Sequence, residues 1–125
     1  MLGAALFRLT GENRWHELFK NSVDKSVPYI DEVIYVLSED QNTDQSLRLE
    51  LQERITNGAN RVCARAPQTI YETARGGWPD GITYDLVWSD EMQTLACANM
   101  VAYNTKYVKA MANAYLFALG ANPKN

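Results

Sequence analysis

The side chains able to carry acid–base or nucleophilic chemistry are few in this sequence, and they are scattered. There is one histidine, His16, and there are two cysteines, Cys63 and Cys97. A histidine acting as a base needs a nucleophile or orienting group held beside it. His16 instead shares one helical stripe with Glu12 and Lys20, at i, i+4 and i+8, and reads as a residue of a charged helix face. A zinc centre needs clustered ligands, and His16, Cys63 and Cys97 are far apart in the chain. The Glu-x-x-His signature of di-iron bundles is missing, because position 13 is Asn13. Each cysteine lies among small residues (Val62-Cys63-Ala64, Ala96-Cys97-Ala98), where cysteine behaves as a small buried apolar side chain. Two reduced thiols are therefore expected, with no metal site, no cofactor and no catalytic residue.

Two further groupings bear on chemistry. Asp80, Asp85 and Asp90 recur near Tyr84, and paired carboxylates divide acid and base roles when burial drives their pKa values apart. Asp80 is accounted for by a turn and Asp90 by a helix start, which leaves only Asp85 without a structural role. Arg54, Arg61 and Arg65 form a basic stripe at the border of an apolar helix face, where their stems can lie along apolar surface. No phosphate-binding loop, dinucleotide fingerprint, nucleophile elbow or EF-hand loop occurs.

The residue types best suited to recognition are Tyr71, Arg75, Trp78, Tyr84 and Trp88. Tyr, Trp and Arg dominate the energetics of protein interfaces, and Gly76-Gly77 and Pro79-Asp80-Gly81 place several of these residues on a loop. The structural alternative is a loop folded back to plug the end of a bundle. Residues 82–88 are β-branched and aromatic, and are expected as an extended or irregular connection with no partner strand.

The elements that must position these residues read as helices. Trp15, Leu18 and Phe19 mark one apolar face, and Ile30, Val33, Ile34 and Leu37 a second, with Ser26 as a candidate cap before Pro28. Leu47, Leu51, Ile55, Val62 and Ala66 mark a longer helix with Thr43 as candidate N-cap, weakened or ended at Asn57-Gly58. Pro67 can open a short helix ended by Gly76. From Met92 to Leu119 apolar and small residues run to the stop at Gly120 and Pro123, interrupted by only two charges, Lys106 and Lys109. Within it Leu95, Tyr103, Tyr107, Met111, Tyr115 and Leu119 form one stripe. Val101, Val108, Ala112 and Leu116 form a second, so that either the helix is surrounded at the centre of the bundle or one stripe meets the core and the other a partner.

At 125 residues the chain fits one domain, 1–125, large enough to bury an unstapled core. Its net charge of −3 argues against nucleic acid as the main partner, whose affinity rests on phosphate contacts. The excess is local: Asp31, Glu32, Glu39, Asp40, Asp44, Glu50 and Glu53 face only Arg48 among residues 31–53, most simply as a solvated surface. The apolar start, Met1 to Phe7, is too short for a membrane span and lacks the basic flank of a signal peptide. A cytoplasmic location, or one within a macromolecular assembly, is the expectation.

These features predict an all-α fold, a four- to five-helix bundle with a long C-terminal helix at its centre. They predict a non-enzymatic protein that binds a protein partner or a second copy of itself through Tyr71, Arg75, Trp78, Tyr84, Trp88 and Leu116. A structural subunit such as a virion connector, or an accessory subunit of a complex, suits this profile. The alternatives are a small helical inhibitor or immunity protein, and a small-ligand or enzyme domain with a pocket near Trp78 and Asp85.

Overall fold

Six α-helices and no strand occur among the described residues of the computed structural model, which are 3–23, 30–38, 43–68 and 90–120. In chain order they are α1 (Gly3–Thr10), α2 (Asn13–Ser22), α3 (Ile30–Val36), α4 (Gln45–Arg65), α5 (Asp90–Val101) and α6 (Thr105–Ala118), with a 3₁₀ turn at Ala66–Gln68 after α4. The expected all-helical class holds. The segment 69–89 and the cap at Ser26 lie outside the described residues.

The apolar spacing of α4 places Leu51, Ile55, Ala59 and Val62 in the core, with Leu47 packed against it. Its start differs from the expectation by one residue. Asp44, not Thr43, is the N-cap, and its Oδ1 accepts from the backbone N–H of Ser46 (3.0 Å) and Leu47 (3.2 Å). The Ser46 hydroxyl also donates to it, and these bonds hold the Asp44 carboxyl below its ordinary pKa. The helix does not weaken at Asn57-Gly58. Gly58 lies against α5, and a Cβ there would come 3.2 Å from Thr94 Cγ2, so the missing side chain lets the two helices approach closely.

The expected long C-terminal helix is two helices. Asn99 Oδ1 accepts from the Asn104 backbone N–H (3.3 Å), and Asn104 Oδ1 accepts from the Lys106 N–H (3.0 Å). Asparagine side chains thereby compete with the helical ladder and supply a new N-terminus for α6. Tyr103, assigned by spacing to the core stripe, lies in this break and is 72% exposed. Of the C-terminal stretch only the first half, α5, is central. α4 and α5 hold the middle, packed on each other and both on α3, whereas α6 packs, among the described residues, chiefly on α5 and α4. The stop at Gly120 is as expected: its φ of 78° is left-handed, the conformation that favours glycine after a helix.

One apolar cluster joins all six helices, from Ala4 and Phe7 of α1 to Tyr107 and Ala110 of α6. No helix among the described residues is long and apolar enough to cross a membrane.

Candidate functional site

His16 is the first test of the chemistry. It is not on a charged surface face but buried, because α2 turns His16 and Phe19 inward and leaves Leu18 exposed. The ring is stacked on Phe7 at 4.6 Å, and its Nε2 lies 2.7 Å from the Tyr35 hydroxyl. The Asp44 backbone N–H donates to that same hydroxyl (3.0 Å), so the Tyr35 oxygen links His16 to the start of α4. Burial raises the Tyr35 pKa, and the nearby Asp44 charge adds to it, so the phenol stays a donor. Tyr35 is itself stacked on Phe19 (4.7 Å). The pair closes a seam between α1, α2 and α3.

The acidic stretch also divides. Asp31 and Glu32, read as solvated, are 5% and 2% exposed. Asp31 reaches the free start of α1, accepting from the backbone N–H of Ala4 (3.3 Å) and Ala5 (3.4 Å), where a carboxylate complements the helix dipole. Glu32 Oε2 accepts from Arg54 Nη2 at 2.6 Å. Inward acids rotate α3, so Ile30 and Leu37 of its expected apolar face are exposed. Of the basic stripe, Arg61 and Arg65 remain exposed.

Both cysteines are free. Cys97 is buried in α5, and burial, with the Glu32 charge adding to it, pushes its thiol up to about 11. Cys63 is half-buried in the wall of a cleft of about 140 Å³ between the end of α4 and α6, with Lys106, Lys109 and Asn113 opposite. Burial raises its pKa too, and the Lys106 charge pulls it back. At pH 8 a thiol of pKa near 11 is only about a thousandth thiolate, and thiolate is the reactive form. Ellman's reagent is therefore expected to label one thiol quickly in the folded protein, Cys63, and the second only with unfolding; equal rates at both would contradict this. Among the described residues no group of three or more His, Cys, Asp or Glu side chains could hold a metal ion.

The remaining candidate is the outer side of α6. Val108, Ala112, Tyr115 and Leu119 recur at i, i+4, i+7 and i+11, with Leu116 beside them. At 100° per residue they occupy about 100° of arc, roughly opposite the buried Tyr107 and Ala110. All five are exposed, Leu116 by 42% and Leu119 by 81%. The two-stripe reading thus holds for α6 as a matter of burial. No protein-family model, curated protein or solved structure matches this chain. The seam is accordingly read from its own residues. Of the expected recognition residues, Leu116 lies in it, while Tyr71, Arg75, Trp78, Tyr84 and Trp88, together with Asp80 and Asp85, lie outside the described residues. Leu119 and Tyr115, placed by spacing on the core stripe, belong to the outer seam instead, because an i, i+4 series turns about 40° per step and carries them about 80° and 120° away from the buried Tyr107.

Proposed function

We propose that this chain is a non-enzymatic interaction protein, a subunit of a larger assembly or an adaptor, that docks through the outer face of α6. The observation that carries this is the solvent-facing apolar seam of Val108, Ala112, Tyr115, Leu116 and Leu119 on a helix whose opposite side already reaches the core. An amphipathic surface helix needs one apolar stripe; a second one spaced at three and four residues is the pattern of a helix that pairs with another. The buried positions of His16 and Cys97 support the non-enzymatic reading, since a catalytic side chain has to meet its substrate.

Leu116→Glu tests it. The variant is expected to keep its helical circular dichroism and thermal midpoint while association weakens by about 2 kcal/mol or more, the cost of placing a charge where a central apolar contact forms. Association unchanged in sedimentation equilibrium, by a variant of undiminished stability, would remove α6 as the docking face.

A further inference from the structure

We propose that the cleft between the end of α4 and α6 binds one phosphate group, held by Lys106 and Lys109 with Cys63 in the wall behind it. α4 and the turn after it supply Cys63, Ala66 and Pro67 to this cleft, and α6 supplies Lys106, Lys109 and Asn113. The two walls are tied together. The Cys63 thiol donates to the Lys106 carbonyl at 3.7 Å, and the Tyr107 hydroxyl donates to Asn60 at 2.9 Å. The lysines stand at i, i+3, so both ammonium groups share one side of α6 and line the same opening. Lys106 is near enough to draw the Cys63 thiol down against the effect of burial.

Charge selects the ligand. The chain carries a net charge of −3, yet from Ile55 to Gln68 and throughout α6 every charged residue is a base: Arg61, Arg65, Lys106 and Lys109. Among the described residues the ion pairs engage Arg14, Lys20 and Arg54, and no carboxylate reaches Lys106 or Lys109. Two neighbouring ammonium groups without a counter-charge repel each other, and an anion between them removes that repulsion. The last carbonyls of α4 oppose an anion with roughly half a charge, against two full charges on the facing wall. A phosphate monoester carries about −1.5 to −2 at neutral pH and matches the pair, whereas a carboxylate matches only one lysine. The Asn113 carboxamide adds a neutral donor. Size agrees: about 140 Å³ is the space of a few waters at about 30 Å³ each, which holds one tetrahedral anion.

Cys63 serves as the reporter. Its labelling by the neutral reagent N-ethylmaleimide is followed by peptide mass spectrometry while inorganic phosphate replaces chloride at constant ionic strength. A bound dianion covers the thiol and disfavours the thiolate, so Cys63 should react about tenfold more slowly at saturation, the effect of one pKa unit. Lys106→Gln with Lys109→Gln should abolish the protection at an unchanged thermal midpoint, since both side chains are exposed. Lys106→Arg with Lys109→Arg should keep it. Slowing that never saturates is screening alone, and slowing that survives the glutamine pair does not involve the lysines; either result overturns the site. Glycerol phosphate and vesicles containing phosphatidate then separate a soluble monoester from a lipid headgroup by which of them protects Cys63. Protection by short duplex DNA at far lower concentration than phosphate would overturn the small ligand in favour of nucleic acid.

Discussion

Tyr107→Glu is expected to abolish folding, whereas Tyr107→Phe should cost only about 1 kcal/mol, the net worth of one hydrogen bond. Tyr107 is 3% exposed, anchors α6 to the common core, and donates through its hydroxyl to Asn60 Oδ1 of α4 at 2.9 Å. Removing a buried aromatic side chain costs about 3–5 kcal/mol by itself. The carboxylate adds a buried charge, or forces its own protonation, and the exposed Lys106, whose Nζ is 5.3 Å from the Tyr107 ring centroid, offsets only part of that cost. Stabilities of domains this size are about 5–15 kcal/mol, so the sum consumes most or all of the reserve. Circular dichroism and thermal melts check both variants. A cooperative melt for Tyr107→Glu within a few degrees of the parent would show that α6 is dispensable to the fold. It would also deprive the outer seam of its rigid support.

Tyr107 and Leu116 were separable from sequence because they lie on different stripes of one local helical pattern. α4 was legible for the same reason: its core face recurs within the helix and asks nothing of the rest of the chain. The break between α5 and α6 left a signal too, Asn104-Thr105 in an otherwise apolar run, and helix-capping residues at that point outweigh the continuity of the stripe. The break leaves Tyr103 exposed, whereas Tyr115 and Leu119 leave the core side because an i, i+4 series turns about 40° per step away from Tyr107. His16, Asp31 and Glu32 are of another kind. Their polar atoms are satisfied by Tyr35, by the start of α1 and by Arg54, partners 19 to 27 residues away. A helical wheel places such residues outside because it can see the cost of burying them but not the distant group that offsets it. The candidate site was legible at Val108, Ala112 and Leu116, which share one stripe by spacing, but not at Tyr115 and Leu119, which the i, i+4 spacing joins to Tyr107.

Arg54→Met is expected to lower stability by about 3 kcal/mol, which for a chain of this length is a fall of roughly 10 °C in thermal midpoint. Arg54 Nη2 and Glu32 Oε2 are 2.6 Å apart, and the side chains are 22% and 3% exposed. The asymmetry sets the sign and the size. Glu32 has surrendered almost all of its hydration on α3, and the guanidinium of α4 donates to it at 2.6 Å, so removing the arginine takes a charge-assisted hydrogen bond from a buried side chain. Removing Glu32 instead exposes the system to less, because Arg54 retains some contact with water and can turn outward along its own stem. Glu32→Leu is accordingly expected to cost less than Arg54→Met. The double variant should recover much of the loss, since well-packed apolar residues replace a buried ion pair nearly neutrally. The coupling measured around this cycle tells an interior pair from a surface one: exposed pairs give about 0.2–1 kcal/mol, and a value in that range would place Glu32 in contact with water in solution. A larger coupling fixes α3 to α4 through this contact, and with it the platform on which α5 and α6 are laid.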